Sequence, residues 1–197
     1  MDAPRREISK DEVNTLPVLR FEGEIVVVDD GAAMERALAS AAASRVVGFD
    51  TETRPAFRPG ESYLPSVFQL ATADCVFVFQ PQRFDCAAAL RRLLEDPGVV
   101  KAGVSVADDL KGLQKLFPFA EAAVLDLGIT AKRHGFRQTG VRNLAALLLG
   151  IRVPKGAKTT NWAAPRLSPQ QLLYAATDAW VCRVLYLRFR ELGYFDA

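Results

Sequence analysis

The stretch RVVGFDTETRP, residues 45–55, decides how this chain folds and where its acidic chemistry lies. Its β-branched and aromatic residues predict a buried strand that ends on Asp50 and Glu52. Residues two apart on a strand project from the same face, so both carboxylates point one way and Thr51 points the other. Like charges held side by side repel unless a cation sits between them, and carboxylate oxygens at this spacing suit Mg²⁺ or Mn²⁺. Taken alone, the pattern is also open to a second interpretation, an exposed strand end with incidental acids, because an Asp-x-Glu sequence is common.

Length and composition limit the possible classes of protein. The chain has 197 residues and is 50% hydrophobic, which fits one α/β domain. The first ten residues carry charge where a secretory signal would be apolar, and no run approaches the roughly 18 apolar residues of a membrane span. We therefore expect a soluble, cytoplasmic protein with no membrane partner. The three cysteines, Cys75, Cys86 and Cys182, are far apart and form no CxxC pair, so we expect reduced core residues.

Predicted strands and helices alternate along the chain. Strands are predicted at EIVVVD, RVVGFD, SVFQLA, CVFVF and VVKAGVSV. Helices are predicted at residues 31–44 behind Asp30 as N-cap, 84–95, 108–117, 141–150 and 168–192. The stretch IRVPKGAKTTNWAAPR, residues 151–166, predicts a long surface loop, and loops of that length in compact domains are usually functional.

Charge is distributed unevenly along the chain. Residues 127–177 hold eight of the 25 Lys and Arg residues and none of the 23 Asp and Glu residues, so this segment contributes +8 and the rest of the chain −6. Such asymmetry favours a polyanionic partner. A solvated basic face that pairs with acids from other segments is the alternative, and the charge pattern alone leaves both open.

The last predicted helix carries a polar residue pair at helical spacing. Tyr174 and Asp178 are four residues apart and share one face, and the neighbours of Asp178 in LLYAATDAWVCRVL are almost all apolar. Burying a carboxylate without a partner costs several kcal/mol, which indicates a cation or a hydrogen-bond network beside it. A narrow polar stripe, with Tyr174 as an ordinary core tyrosine, is the alternative.

The segment KAGVSVADDLKGLQKLF offers two candidates for a fourth acid. At about 100° per helical residue, the apolar face of this segment lies roughly 50° from Asp109 and roughly 150° from Asp108. Asp109 is thus expected to border the buried face. Asp108 is expected to point outward and to serve as a helix-start residue favoured by the dipole, a role that would also suit Asp109.

Three motifs in this order resemble a known family. FDTET, KAGVSVADDLKGL and YAATDAW are similar to the three exonuclease motifs of the DEDD superfamily, in the subgroup with tyrosine in its third motif. The resemblance continues through TGVRNLAALLLGIRVPKGAKTTNWAAPRLSPQQLLYAATDAW, which is similar to the same region of ribonuclease D and the Werner-type exonuclease domain. It spans the chain from about Glu24 to Leu192.

This resemblance implies a single domain with a ribonuclease H-like fold, a mixed sheet flanked by helices, covering residues 24–197 after an N-terminal extension of residues 1–23. It also implies 3′-5′ hydrolysis of DNA or RNA with two divalent cations, Mg²⁺ or Mn²⁺. Carried over by motif, the metal-binding carboxylates would be Asp50, Glu52, Asp109 and Asp178. Tyr174 would orient the attacking water.

A nucleic-acid substrate requires positive charge near these acids. The predicted loop directly precedes the helix that carries Tyr174 and Asp178, so its residues are the candidates for nucleic-acid binding: Arg152, Lys155, Lys158 and Trp162. Trp162 either stacks on a base or anchors the loop. A nucleic-acid-binding module without turnover is the second hypothesis, although such a module would have no use for clustered acids near a polyanion.

Overall fold

The hydrophobic strands pair into a six-stranded mixed sheet in the computed structural model, which describes residues 5–156 and 160–195. The strands are β1 (Glu24–Val28), β2 (Val46–Thr53), β3 (Pro65–Ala71), β4 (Cys75–Phe79), β5 (Val100–Gly103) and β6 (Val124–Asp126). Their order in the sheet is β1-β4-β3-β2-β5-β6. Strand β3 is antiparallel to both of its neighbours, and the other three pairings are parallel. This places β2 near the centre of the sheet.

Helices cover both faces of this sheet. They are α1 (Lys10–Thr15), α2 (Gly31–Ser44), α3 (Ala87–Glu95), α4 (Ala107–Leu116), α5 (Leu127–Arg133), α6 (Val141–Leu149) and α7 (Pro169–Glu191). Helices α2, α3 and α4 pack on one face, in a core that includes Phe49 and Phe68. Helix α7 crosses the other face, where α5 and α6 pack beside it. The α/β prediction of a mixed sheet flanked by helices is therefore confirmed.

Local signals explain where α2 and α7 begin. Asp30 caps α2 by accepting a hydrogen bond from the backbone N–H of Ala33 at 2.8 Å. Ser168 and Gln171 form a reciprocal capping box at the start of α7. Three short elements, α1, β6 and α5, were absent from the sequence prediction, because spans of three to seven residues show too little periodicity.

Glycine at position 48 brings α7 unusually close to β2. A Cβ atom on Gly48 would lie 2.0 Å from the carbonyl oxygen of Ala179 and 2.6 Å from the backbone nitrogen of Arg183. Gly48 precedes Asp50 by two residues, so both residues face α7. The missing side chain at position 48 thus lets α7 carry Asp178 against the end of β2.

The structure bears on the predictions about the cysteines and about membrane-spanning segments. Cys75, Cys86 and Cys182 are free and buried, as the sequence predicts. Across residues 5–156 and 160–195, no helix is both long enough and apolar enough to cross a bilayer.

Candidate active site

Three of the predicted acids meet where β2 ends beneath α7. Asp50 and Glu52 project from β2, and Asp178 projects from the middle of α7. One carboxylate oxygen from each of these residues lies within 4.8 Å of the other two. Glu52 and Asp178 are only 8% and 7% exposed, and Asp50 is half-buried. We call these three residues the acid cluster.

Electrostatics in the acid cluster are unfavourable without a cation. Burial, and then the charges of neighbouring acids, raise the pKa of Asp50 well above its usual range. Those acids are Asp178, Asp109 and Glu52. Like charges held together away from water repel strongly, so a divalent cation between them lowers the free energy of the site. The donor set, all carboxylate oxygens, suits a hard divalent cation.

Asp109 lies beside the acid cluster and is not one of its three members. It stands in the first turn of α4, and its carboxylate accepts a hydrogen bond from the hydroxyl of Thr51. Burial raises the pKa of Asp109, while the hydrogen bond from Thr51 opposes that shift. Thr51 lies between Asp50 and Glu52 on β2, so it ties α4 to the strand that carries the cluster.

Asp108 and Asp109 differ in exposure as the helical geometry predicts. The side chain of Asp108 is 96% exposed and pairs with Lys111 at 3.4 Å. Asp109 is half-buried. Of these two acids, Asp109 is the one whose charge raises the pKa of Asp50.

A residue that the sequence analysis overlooked fixes the start of α4. Asp126, at the end of β6, accepts hydrogen bonds from the backbone N–H groups of Gly128 at 2.8 Å and Ile129 at 3.1 Å, which caps α5. Its second oxygen accepts from the N–H of Val106 at 3.1 Å, the residue just before α4. One carboxylate thereby joins two helix starts and sets the position of Asp109. The only sequence signal for this role was an Asp directly before a helix.

Tyr174 stands one turn before Asp178 on α7 and faces the same cleft. Burial raises the pKa of the Tyr174 hydroxyl, and the nearby charges of Asp178 and Glu52 raise it further. The hydroxyl is thus a neutral hydrogen-bonding group at neutral pH. One guanidinium nitrogen of Arg142, at the start of α6, lies 3.4 Å from this hydroxyl oxygen and 3.4 Å from the carbonyl oxygen of Pro154.

A cleft of about 400 Å³ opens over the acid cluster. Besides the three acids, its walls include Thr51 from β2, Arg142 and Asn143 from α6, and Tyr174 from α7. The carboxylates, the tyrosine hydroxyl and a guanidinium therefore meet in one open space. Arg142 was counted among the basic residues of the sequence but was not predicted to lie at the site, since nothing in its local sequence indicates proximity to Tyr174.

The predicted nucleic-acid-binding residues differ in their exposure to solvent. Lys155 is exposed and Arg152 is half-buried, both on the chain that follows α6. Lys158 lies outside the described residues. Of the two roles that the sequence left open for Trp162, base stacking is contradicted, because this side chain is fully buried at 0% exposure. Its ring packs at 6.0 Å from that of Tyr174, so Trp162 anchors the loop against α7.

Comparisons with known proteins agree with this geometry. A family model described as 3′-5′ exonuclease matches residues 25–193. The bifunctional 3′-5′ exonuclease/ATP-dependent helicase WRN of Mus musculus is 28% identical over 190 residues, which is 91% of this chain and 14% of that protein. Ribonuclease D of Haemophilus influenzae is 31% identical over 163 residues, which is 81% of this chain and 40% of that protein.

Structural comparison gives the same fold. The crystal structure of the EXO domain of Nibbler from Aedes aegypti superimposes with a TM-score of 0.78 at 24% identity, covering 90% of this chain and 94% of that one. This likeness confirms the ribonuclease H-like fold. The chain spans less than half the length of the WRN and ribonuclease D relatives.

Proposed function

The chain belongs to the 3′-5′ exonuclease family, and we propose that it hydrolyses phosphodiester bonds of DNA or RNA from the 3′ end with two divalent cations, Mg²⁺ or Mn²⁺. One observation carries the proposal: carboxylate oxygens of Asp50, Glu52 and Asp178 lie within 4.8 Å of one another at the base of an open cleft. A binding module would gain nothing from such a cluster, because three carboxylates repel the phosphates of a nucleic acid.

The carboxylates would divide between two cations. The acid cluster would hold one ion, and Asp109, together with the half-buried Asp50, would hold the second. Divalent cations bound there supply positive charge to the attacking and leaving oxygens of an in-line phosphoryl displacement. Thr51 keeps the Asp109 carboxylate next to β2 through its hydrogen bond, and Asp126 holds the helix that carries it.

Tyr174 and Arg142 would position the attacking water and a phosphate oxygen. The neutral Tyr174 hydroxyl would hold the attacking water by a hydrogen bond, and Arg142 would fix that hydroxyl and attract a phosphate oxygen. The water oxygen bonds to phosphorus as the bond from phosphorus to the 3′ oxygen breaks, and the leaving oxygen takes up a proton. The products are a nucleoside 5′-monophosphate and a strand shortened by one nucleotide.

The nucleic-acid strand would approach past the chain that follows α6, where the exposed Lys155 and the half-buried Arg152 would contact phosphates. Such contacts hold a strand without reading its bases. Lys158 is proposed for the same role from its sequence position alone.

A cytoplasmic location stays a prediction from the sequence.

The test is a hydrolysis assay on matched DNA and RNA oligonucleotides that carry a label at either the 3′ or the 5′ end. With Mg²⁺ or Mn²⁺, the 3′-labelled substrates should release labelled mononucleotide at once, and the 5′-labelled substrates should give a ladder of shortening products. With EDTA, neither should change. Asp50→Asn is the inactive control, and Asp108→Asn, which removes an exposed acid from the neighbouring helix, should behave as wild type.

Two results would contradict the proposal. Release of mononucleotide from 5′ ends would show that hydrolysis proceeds from the 5′ end. Hydrolysis in EDTA would show that the reaction does not need divalent cations. Binding of both oligonucleotides without hydrolysis under any metal condition would support the alternative of a catalytically silent nucleic-acid-binding module.

A further inference from the structure

We propose that residues 5–23, the N-terminal segment, form one wall of the nucleic-acid-binding groove, where Lys10 and Arg20 contact phosphates on the 5′ side of the scissile bond. The inference rests on the proposed function and extends it to a segment that lies outside residues 25–193, the part matched by the exonuclease family model. Single-stranded nucleic acid is the partner that fits, because the groove combines clustered cations with an open end at the acid cluster.

The N-terminal segment is fixed to the rest of the protein at three places. Near its start, the side-chain amide of Gln138 exchanges two hydrogen bonds with the backbone of Ile8, at 2.9 and 3.0 Å. Near its end, the buried Phe21 packs against Trp180, and its backbone N–H donates to the Thr177 hydroxyl at 3.1 Å. The path of the backbone between these attachments is therefore set by the fold.

The middle attachment joins this segment to the chain that carries the predicted nucleic-acid-binding residues. The N–H of Arg152 donates to the carbonyl of Pro17 at 2.8 Å, and the N–H of Leu19 donates to the carbonyl of Arg152 at 3.2 Å. These two bonds form a parallel β-bridge between Val18 and Arg152. Arg20 follows directly after the bridge, so it lies close to the chain that continues from Arg152 to Lys155.

A cleft of about 480 Å³ separates the N-terminal segment from this chain. We call it the basic cleft, since its walls contain five cations and none of its described lining residues is acidic. The five cations are Lys10, Arg20, Arg142, Arg152 and Lys155. They come from three separate parts of the sequence, which converge only in the folded chain.

The cations of the basic cleft take no part in the salt bridges of the described residues. Ion pairs among the described residues involve other basic side chains, for example Arg5 with Glu12 at 2.7 Å and Arg137 with Glu7 at 2.8 Å. No residue in the described ranges makes a salt bridge with any of the five. Unpaired like charges that line one cleft repel each other, and a polyanion relieves that repulsion.

The basic cleft is continuous with the site of hydrolysis. It shares Arg142 and Asn143 with the cleft above the acid cluster. A third cleft of about 500 Å³ shares Arg20 and Lys155 with the basic cleft and also reaches Tyr174 and Asp178. A strand whose 3′ end lies at the acid cluster would thus pass Arg142 and enter the basic cleft.

The test uses the full chain with the double substitution Lys10→Gln and Arg20→Gln. Both side chains are exposed, so the fold should not change, and circular dichroism checks this. Binding of a fluorescein-labelled single-stranded oligonucleotide is measured in an Asp50→Asn background across a salt series. The steady-state parameters kcat and KM are measured in the active enzyme. The matched control is Arg92→Gln with Lys115→Gln, two exposed cations on α3 and α4 across the sheet.

We expect the test variant to bind the oligonucleotide about five- to tenfold more weakly, with KM raised by a similar factor and kcat unchanged, and the control to match wild type. Loss of two phosphate contacts should reduce the slope of log K against log salt by about 1.4. Charge reversal, Lys10→Glu with Arg20→Glu, should enlarge each effect. Unchanged affinity and slope in both variants would overturn the inference. Failure of the proposed function would be seen separately, as wild-type protein that binds the strand and does not hydrolyse it.

Discussion

The acid cluster and the basic cleft are adjacent, yet they are built in opposite ways. The cluster's three carboxylates project from regular elements, β2 and α7, and two of them are buried. The cations of the basic cleft project from the N-terminal segment, the start of α6 and the chain after α6, and most of them are exposed. Short carboxylate side chains on rigid elements hold oxygens in fixed positions, whereas long Lys and Arg side chains follow a mobile phosphate backbone.

This difference predicts how each region responds to substitution. Removing one carboxylate from a metal-binding set breaks a geometry that its neighbours cannot restore, so the effect on catalysis should be large. Removing one cation from a group of five leaves the others in place, so the effect on binding should be small and dependent on salt.

The largest effect is expected at the acid cluster. Asp178→Asn removes a ligand from the centre of the cluster while keeping the shape of the side chain, and it should lower kcat by about three orders of magnitude or more. Because the change also relieves repulsion with Asp50, the metal-free protein should be no less stable than wild type. Turnover and urea denaturation measured on the same sample check both parts; activity near wild type would contradict the assignment.

Next in size is the contrast between two neighbouring acids on α4. Asp109→Asn should lower kcat by about a hundredfold, since it weakens the second cation site, whereas Asp108→Asn should change kcat by less than about twofold. The two substitutions are chemically identical and one residue apart, so each controls for the other. Equal kcat values for the two variants would show that Asp109 has no role in catalysis.

A smaller effect is expected at Tyr174, which would act on water and not on a cation. Tyr174→Phe keeps the ring that packs against Trp162 and removes only the hydroxyl, so kcat should fall by about ten- to a hundredfold with little change in KM. An unchanged kcat would make Tyr174 a packing residue. A rise in KM at constant kcat would place the hydroxyl in substrate binding.

The smallest effect is expected in the basic cleft. Lys155→Ala should weaken oligonucleotide binding by about two- to threefold and reduce the salt slope by about 0.7, the contribution of one phosphate contact. Arg92→Ala, on the far face of the sheet, is the control. If Lys155→Ala weakened binding by as large a factor as an acid-cluster variant lowers kcat, the two regions would not differ in their response to substitution.

The two regions also differ in how far the sequence predicts them. The acid cluster depends on local rules: residues two apart on a strand share a face, and residues four apart on a helix share a face. Helical geometry likewise separated Asp109 from Asp108. The close approach of α7 to β2 was not predictable in this way, because the role of Gly48 depends on which element crosses it.

The basic cleft could be predicted only in part. The acid-free segment indicated a polyanion, and the loop indicated Arg152 and Lys155, but nothing local relates Lys10 and Arg20 to residues more than a hundred positions away. Their juxtaposition comes from the backbone bridge between Val18 and Arg152 and from the buried Phe21, neither of which has a recognisable sequence pattern. The sequence left both roles of Trp162 open for a similar reason, since an aromatic residue in a loop gives no sign of whether it faces solvent or α7.

Thermal unfolding of wild type and Asp50→Asn during titration with Mn²⁺ or Mg²⁺ tests directly whether the acid cluster binds a metal. A ligand that binds only the folded state at about 100 times its dissociation constant adds about 2.7 kcal/mol to stability, which for a chain of this size raises Tm by about 5 to 10 °C. We expect such a rise for wild type. For Asp50→Asn we expect a metal-free Tm at or above that of wild type and little response to either ion. No metal-dependent rise in wild type, or an equal rise in Asp50→Asn, would show that the acid cluster is not a metal centre.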